Sequence, residues 1–308
     1  MALLALLLDL RRLHHWSLQL WHGDHRWRPE SGGQAAELAR WTAAQGLTLH
    51  IDTWDWQAKA DSEAAARQWR YGQLEARARA LGARHVVTGH TASDRAETLL
   101  LHLARGSHRR GLASLRRQRP LAIGTDGEAA ILLARPLLTF SRADTGRVCS
   151  QLQLPVWHDP SNSDRRYSRN LIRADVLPVL EGLHPGAAQR ISAQAERLVE
   201  EVECLNELVD LALQGLHSCG SNRGAEPGDQ GLRRRELITL APASQRQLLH
   251  RWLEQRTGQV LPARTIEGLL QRLRAGQPPA RADLGAGWQL QWDRCTLWLD
   301  PSPTSLPR

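Results

Sequence analysis

The segment Arg84–Gly111 constrains the fold of this chain more than any other stretch of the sequence. It opens with a short predicted strand, Arg84–Thr88, whose consecutive valines suit burial on both faces of a sheet. Gly89 and His90 follow where this strand ends, and a helical stretch begins within a few residues. This order of strand, loop and helix predicts an α/β domain, in which ligands bind beyond the carboxyl ends of the strands.

Several polar residues mark the start of that helix. Ser93 or Asp94 is placed to cap a helix that runs to about Arg105, and Glu97 stands three residues after Asp94, as in a capping box. His90, Asp94 and Glu97 are spaced i, i+4 and i+7, so they can share one helix face. The residues alone leave open whether this is a helix cap with a loop histidine or a chemical site. A metal site is a weaker alternative, because two carboxylates and one histidine lack a further ligand.

Strands and helices alternate through the first half of the chain, which predicts an α/β fold with a doubly wound parallel sheet. The predicted strands are Trp16–Trp21, Leu47–Asp52, Arg84–Thr88 and Ile131–Leu133, and the predicted helices are Ala2–Leu13, Gln34–Gln45, Asp61–Leu81, the stretch from Asp94 to Arg105 and Arg142–Leu152.

A smaller, mainly helical domain is predicted after this sheet. Residues 185–216 read as a long helical stretch, and Cys219–Gly231 has the composition of a linker. Residues 232–299 read as two or three helices and a terminal hairpin, Trp288–Trp292 with Thr296–Leu299. The boundary falls between about Glu200 and Gly231, and we divide the chain into domains 1–200 and 201–308.

The charge of the chain favours a nucleic-acid partner. The formal net charge is +8 and the sequence pI is about 10.4, with Lys59 the only lysine. Six of the arginines lie between Arg105 and Arg119. Arginine pairs bidentately with phosphate and stacks on bases, as an RNA-binding surface requires. A GC-rich genome that encodes arginine in place of lysine explains the Arg/Lys ratio equally well, but explains the net charge less well.

The cysteines and the first residues indicate in which cellular compartment the protein is expected. Cys149, Cys204, Cys219 and Cys295 are widely spaced, which argues against a zinc ribbon, an iron–sulfur cluster or a disulfide framework and suits a reducing cytoplasm. The segment 1–12 has no basic residue before its apolar run and no small-residue cleavage site, so it predicts a helix and neither a signal peptide nor a membrane anchor.

Longer motifs resemble one family. HTASDRAETLLLHLARGSHRRGL, from His90, resembles the HxxxDxxET…RG…GL block of tRNA(Ile)-lysidine synthetases, which are PP-loop ATP pyrophosphatases. HGDHRWRPES (22–31), the Arg70-Tyr71 pair and DPSNSDRRYSRNLIR (159–173) resemble further blocks of that family. PASQRQLLHRWL and GWQLQWDRCTLWL are weaker matches to its tRNA-binding domain. The resemblance covers nearly the whole chain.

The resemblance implies a PP-loop, Rossmann-like sheet and an ATP-dependent ligase. Such an enzyme uses ATP, with Mg²⁺ for the pyrophosphate, to adenylate the wobble cytidine of a tRNA(Ile) with a CAU anticodon, and lysine then displaces AMP. The resemblance implies catalytic roles for Asp94 and Arg70, and nucleotide binding by His25, Arg28, Gly89 and His90. It implies substrate or tRNA binding by Glu97, Arg105, Gly106, Arg109, Asn162, Asn170 and Arg173.

One motif of the family is missing from this sequence. The SGGxDS loop, whose backbone N–H groups cradle pyrophosphate, follows the first strand in those enzymes. Ser31-Gly32-Gly33 resembles it, but Gln34-Ala35-Ala36 follows in place of an Asp-Ser pair. We hypothesise that Met1 is an internal codon and that the native protein begins ~20–40 residues upstream, the length of a strand and its loop. If the chain is complete as given, the sheet lacks its first strand and ATP turnover should be badly impaired.

Three alternatives stay open. Another PP-loop enzyme, such as a tRNA thiolase, would normally have paired cysteines. A non-catalytic tRNA-binding remnant would bind tRNA without incorporating lysine. A metal hydrolase built on His90, Asp94 and Glu97 is the third. The oligomeric state is not fixed by the sequence, and a homodimer is one option.

Overall fold

The structure is a computed structural model that describes residues 1–26, 31–54, 63–122, 129–157, 164–217, 231–274 and 277–301. The chain forms two compact units, Met1–Glu200 and Glu201–Arg308.

The strands of the first unit form two small sheets. Strands β1 (Leu20–Asp24) and β2 (Leu49–Thr53) pair in parallel. In the second sheet β3 (His85–Val87) pairs in parallel with β5 (Ile131–Ala134), and β4 (Gln118–Ala122) lies antiparallel to β5. The α/β fold with parallel strands is therefore confirmed, although within the described residues the sheet is divided in two and carries an antiparallel edge strand that the sequence analysis missed.

Helices flank these strands. They are α1 (Ala2–His14), α2 (Ser31–Ala44), α3 (Glu63–Ala80), α4 (Ala92–Ala104), α5 (Arg109–Leu112), α6 (Arg142–Gln151), α7 (Ser168–Leu171), α8 (Leu177–Leu183) and α9 (Ala187–Leu216), with a 3₁₀ turn at Pro136–Thr139.

The first predicted strand begins later than the sequence suggested. Helix α1 ends at His15 in the left-handed conformation, with φ of 53°. The ring of Trp16 stacks on that of His14 at a centroid distance of 4.6 Å. The apolar residue Trp16, which was predicted to begin the strand, instead packs on the end of helix α1. The strand starts only at Leu20.

Two apolar clusters hold the first unit together. Val86, Ile131 and Leu133 pack with Ala78 of α3, which attaches α3 to the second sheet. In the other cluster Ala96 of α4 packs with Leu177 of α8 and Ala188 of α9. Burial of these apolar side chains stabilises the contact by about 25 cal/mol per Å². The second cluster therefore fixes α4 against the α7–α8 segment, and this packing sets the geometry of the polar groups beside it.

The second unit contains more sheet than the sequence predicted. Its helices are α10 (Arg234–Thr239), α11 (Pro242–Thr257) and α12 (Ala263–Arg272), and its strands β6 (Leu232–Arg233), β7 (Ala280–Gly285), β8 (Trp288–Trp292) and β9 (Thr296–Pro301) form an antiparallel sheet in the order β6-β9-β8-β7. The predicted hairpin is β8–β9. The smaller domain is helical as predicted, but within the described residues it also contains β6 and β7, which were not predicted because their sequences do not favour strands and they are held by pairing with their neighbours.

Three consecutive arginines stand at 233–235, and the middle one has a structural role that was not predicted from the sequence. The Arg234 side chain is 2% exposed. Its guanidinium donates to the carbonyl oxygens of Leu273 (3.1 Å), Asp293 (2.6 Å) and Arg274 (3.0 Å). Arg234 is therefore a buried structural side chain. It joins α12 to the turn between β8 and β9.

Among the described helices, none is long and apolar enough to cross a membrane.

Candidate active site

The start of α4 forms a capping box. Thr91 is the N-cap residue, with extended φ and ψ of −106° and 174°, and its hydroxyl accepts from the Asp94 N–H at 3.4 Å. Asp94 Oδ2 accepts from the N–H and the hydroxyl of Thr91, both at 2.8 Å. The expected cap at Ser93 or Asp94, with Glu97 as its partner, was wrong. The hydroxyl of Ser93 instead accepts from the Arg142 N–H at 3.1 Å.

The second oxygen of the Asp94 carboxylate faces arginines. Oδ1 accepts from Nη2 of Arg142 at 3.1 Å and from Nη2 of Arg169 at 3.2 Å, and Nη2 of Arg173 lies 3.8 Å away. Burial raises the pKa of Asp94, but the Thr91 N–H and the charges of Arg142 and Arg169 outweigh it, so its pKa lies below the ordinary value. Asp94 is therefore ionised at neutral pH.

Glu97 lies beneath these arginines, with 0% of its side chain exposed. Its Oε2 accepts from Arg169 Nε at 2.8 Å and from Arg173 Nη2 at 2.9 Å, and its Oε1 accepts from Arg173 Nε at 2.7 Å. Arg173 thus pairs bidentately, the strongest geometry for a carboxylate and a guanidinium. The geometry does not support the expected direct contact of Glu97 with a substrate, because both oxygens are occupied and covered. Glu97 positions the two arginines.

A local irregularity in the helix places these arginines. Ser168–Leu183 is helical throughout, but Ile172–Val176 forms a π-helical turn between α7 and α8. Pro178 explains it, since proline has no N–H and its ring excludes the carbonyl four residues earlier. Arg169 and Arg173 are four residues apart, so both reach the same face of α4.

The five side chains form a unit that we call the α4 charge network: Asp94, Glu97, Arg142, Arg169 and Arg173. Two carboxylates and three guanidiniums leave one net positive charge. The network lies at the N-terminal turns of a 13-residue helix, whose dipole also favours anions. Arg142, with 52% of its side chain exposed, gives the network access to solvent. The arrangement can therefore stabilise negative charge on a phosphate or a leaving group.

His90 lies beside this network, after the end of β3. Its Nδ1 is 2.9 Å from Thr88 Oγ1. Burial, aided by the charges of Arg135, Arg169 and Arg67 and opposed by Asp94, lowers the pKa of His90 to about 4. The imidazole is therefore neutral at pH 7. At the neighbouring Gly89, an added Cβ would lie 3.8 Å from the Leu3 side chain, so the backbone there does not require glycine.

Arg70 belongs to a different group, at the carboxyl ends of β1 and β2. Its Nη2 donates to His25 Nε2 at 3.1 Å, so His25 carries its proton on Nδ1. In the part of the chain that the structure describes, no hydrogen bond or ion pair joins Arg70 to Asp94, the two residues expected to be catalytic. Burial and then the charge of Arg70 lower the pKa of His25 to about 4.

Tryptophans surround His25. Trp54 and Trp69 stack with centroids 5.3 Å apart, and the His25 ring meets Trp69 edge-on at 4.9 Å and Trp54 at 5.7 Å. Gly23 makes room for this packing, because a Cβ there would lie 3.0 Å from Trp69 and 2.6 Å from Trp21. These rings were not predicted from the sequence as part of a site. Arg28, the other residue expected here, lies outside the described residues.

The remaining expected contacts lie in turns. Arg105 is the exposed C-cap of α4, and Gly106 adopts the positive φ of 68° that ends the helix, so its glycine is explained by backbone conformation. Arg109 is exposed at the start of α5. Asn170 donates from its amide to the Asp164 carbonyl at 2.9 Å and orders its own loop. Asn162 lies outside the described residues.

Arg142 and Arg169 are not among the site residues expected from the sequence. Arg169 is part of the DPSN…Y.RN.IR block. Its positive charge within that block is a sequence signal that could have identified it as a site residue. Arg142 follows a capping serine, Ser141, and only the packing of α6 brings it to Asp94.

No group of three or more side chains suited to a metal ion occurs among the described residues. The α4 charge network does not fit a cation, because its carboxylate oxygens are engaged by arginines. This geometry argues against a metal hydrolase built on His90, Asp94 and Glu97.

Both units match known domain families. Residues 1–180 match the PP-loop domain family ATP_bind_3. Residues 232–298 match the TilS substrate binding domain.

Curated relatives match along nearly the whole chain. The chain is 50% identical over 301 residues to the tRNA(Ile)-lysidine synthase of Parasynechococcus marenigrum (strain WH8102), covering 98% of the chain and 85% of the relative. It is 39% identical over 306 residues to a tRNA(Ile)-lysidine synthase of Prochlorococcus marinus, covering 97% of the chain and 86% of the relative.

Among solved structures, the chain resembles the U34-tRNA thiolase NcsA from Methanococcus maripaludis with its [4Fe-4S] cluster. The TM-score is 0.52 at 16% identity, over 73% of this chain and 74% of the thiolase. At this identity the likeness establishes the fold alone.

Proposed function

The chain belongs to the tRNA(Ile)-lysidine synthase family, and we propose that it joins lysine to the wobble cytidine of a tRNA(Ile) with a CAU anticodon, using ATP. The observation that carries this proposal is the match to lysidine synthases over 98% of the chain. That match includes both the PP-loop domain and the substrate binding domain, residues 1–180 and 232–298.

The proposed reaction has two steps. The O2 atom of cytidine attacks the α-phosphorus of ATP, and pyrophosphate leaves. The lysine amine then attacks C2 and loses a proton, while the C2–O2 bond breaks and AMP departs with the oxygen. Negative charge develops on phosphate oxygens in both steps, so the protein must supply fixed positive charge at that point.

The α4 charge network supplies such charge. Arg142 and Arg169 are held by Asp94 and Glu97 before any substrate arrives, so little reorganisation is needed when charge develops. We assign Asp94 to the reacting centre, where its ionised carboxylate orients the arginines and can attract the lysine ammonium group. The neutral His90 lies beside it, in the role expected for nucleotide binding.

The group of His25, Arg70, Trp54 and Trp69 suits the nucleotide. A neutral imidazole and indole rings can stack on a base, and a guanidinium can reach a phosphate. We propose that His25 and Arg70 bind ATP here, and that Arg28 also binds the nucleotide.

Exposed residues after α4 suit the RNA. Arg105 and Arg109 are exposed, and they belong to the arginine-rich segment that favours phosphate. We propose that they contact tRNA, together with Asn162 and the loop that Asn170 orders.

Mg²⁺ enters this proposal only as the partner of ATP. Magnesium commonly binds through nucleotide phosphates and water with few protein ligands, and we assign no step of this chain's chemistry to it. The tRNA and ATP substrates, together with widely spaced cysteines, support a cytoplasmic location.

Asp94→Ala tests the catalytic assignment. We expect lysidine formation to fall at least ~100-fold, as when an electrostatic group of an active site is removed, and tRNA affinity to stay unchanged. Asp144→Ala is a matched control, because Asp144 forms the same capping box with Ser141 in α6. It should lose the cap and keep turnover. Wild-type turnover by Asp94→Ala contradicts the assignment, and tRNA binding by the wild-type protein without ATP-dependent lysine incorporation identifies a non-catalytic binding protein.

A further inference from the structure

A second group of arginines surrounds one tyrosine in the first unit. We call it the Tyr71 cluster: Arg67 and Tyr71 of α3, Arg119 of β4, and Arg135, which follows β5. The guanidinium carbons of Arg67 and Arg119 lie 5.1 and 5.0 Å from the centroid of the Tyr71 ring. Nη2 of Arg135 donates to Tyr71 Oη at 3.5 Å. Three cations thus share one aromatic side chain.

Arg135 is the buried member of this cluster, with 1% of its surface exposed. Its Nη1 donates to the Arg116 carbonyl at 2.8 Å, and its Nε is buried without a hydrogen-bond partner. Within the described residues, Arg67, Arg119 and Arg135 form no ion pair with a carboxylate. A buried charge is costly unless it is paired, and like charges in proximity add to that cost.

The surrounding titratable groups respond to this positive field. Burial raises the pKa of Tyr71, yet Arg67, Arg135 and Arg119 together outweigh burial and lower it. Arg135 and Arg67 also help to lower the pKa of His90. The cluster is therefore an electropositive site that lacks a compensating anion in the described part of the protein.

The cluster also lies at the carboxyl ends of the parallel strands, which is where open α/β sheets bind their ligands. Arg135 follows the carboxyl end of β5, as His90 follows that of β3, and the two strands are parallel neighbours. The Thr88 N–H donates to the Ala134 carbonyl at 3.0 Å, which keeps the two strand ends together. An anion at the Tyr71 cluster would thus lie on the His90 side of the site.

We propose that the Tyr71 cluster is a phosphate-binding subsite, with Arg67 and Arg119 as its accessible donors and Arg135 as its buried charge. Arginine forks match phosphate oxygens bidentately, and the ring of Tyr71 lies against both Arg67 and Arg119. Two sources supply the same chemistry: a backbone phosphate of the tRNA, or a phosphate of ATP. The choice between these sources rests on the proposed function.

Charge-removing variants test the subsite by binding alone. Arg67→Gln and Arg119→Gln each remove one donor, and Arg67 is exposed, so its replacement does not disturb the core. Arg79→Gln is the matched control, since Arg79 lies on the same helix and pairs with Glu75 at 2.9 Å. Equilibrium binding of a tRNA(Ile) transcript is measured from 50 to 300 mM salt, and ATP and pyrophosphate binding are measured without tRNA.

A backbone-phosphate site predicts about tenfold weaker tRNA binding in each variant, and a salt slope reduced by about 0.7–0.9 for each phosphate that the variant no longer neutralises. A nucleotide-phosphate site predicts a similar loss of affinity for ATP and pyrophosphate, with tRNA binding as in the control. If both variants match Arg79→Gln in every assay, the subsite does not exist. Failure of the proposed function is a separate result, namely absence of lysidine formation by the wild-type protein, and it leaves these binding measurements intact.

Discussion

Glu97 shows how one buried carboxylate can organise a site without touching a substrate. It accepts three hydrogen bonds from Arg169 and Arg173, and these arginines in turn approach Asp94. Without the negative charge of Glu97, Asp94 would face three guanidiniums alone. The guanidinium groups would then repel one another, and their positions would no longer be fixed.

We expect Glu97→Gln to destabilise the first unit by about 3 kcal/mol, as when one partner of a buried ion pair is removed. An amide cannot accept at both positions from two charged donors. The free energy of unfolding in urea measures this loss, and lysidine formation should fall with it.

Glu75→Gln is the control for that substitution, since Glu75 makes an exposed pair with Arg79 worth at most about 0.5 kcal/mol. Equal stability of the two variants would contradict a positioning role for Glu97.

The two neutral histidines give stability a pH dependence. His25 and His90 have pKa values of about 4 in the folded protein, against 6.5 as the ordinary value. Between these values the unfolded chain binds protons that the folded chain does not, so stability falls as the pH drops from about 6.5 to about 4. Above about 6.5 neither state binds the proton, and this contribution is constant.

We therefore expect the urea midpoint to fall between pH 7 and pH 4.5, and to fall less in the double variant His25→Gln/His90→Gln. Urea titrations of both proteins at the two pH values measure the difference. An identical drop in the two proteins would mean that other groups control it.

Residue types at the site were predictable, but their partners were not. Asp94, Glu97 and Arg173 stood in motifs, whereas the separation of 72 to 76 residues between Glu97 and its arginines left no local signal. Ser93 and Asp94 were the expected caps, whereas the N-cap is Thr91, a residue type equally able to cap a helix. Tertiary contacts determine which residue caps the helix. The Ala92 N–H donates to the Phe140 carbonyl, and the Ser93 hydroxyl accepts from the Arg142 N–H.

At the scale of elements, the longer helices and the apolar strands of the first unit were predicted within a few residues of their observed ends. The strands that were missed depend on partners: β4 contains Pro120, β6 has two residues, and β7 is rich in alanine and glycine. Their sequences do not favour strands, and the neighbouring β5, β9 and β8 supply the hydrogen bonds.

Arg234 illustrates how one side chain can join elements. We expect Arg234→Met to destabilise the second unit by about 3 kcal/mol or more, because it leaves several buried carbonyl oxygens without a donor. Amide hydrogen exchange in β8 and β9 measures the effect locally. Arg235→Met, at an exposed position, should leave exchange unchanged. Equal protection in both variants would show that the carbonyls find other donors.

At the scale of the whole molecule, the net charge of +8 predicts a salt-dependent attraction for tRNA. We expect Arg105→Gln/Arg109→Gln to weaken tRNA binding and to lower its salt slope by about 0.7–0.9 per phosphate. Affinity measured over a range of salt concentrations tests this.

Arg79→Gln/Arg147→Gln carries the same change in net charge on arginines that are paired with carboxylates. If this control loses as much affinity as the first variant, the attraction depends on total charge and not on the segment after α4.

The cations of the Tyr71 cluster are all guanidinium groups, which has a consequence for regulation. A guanidinium keeps its proton at every pH that a living cell reaches. Acetylation, which erases positive charge from lysine, has no target in Arg67, Arg119 or Arg135. The positive charge of this cluster is therefore changed neither by acyl donors nor by intracellular acidity.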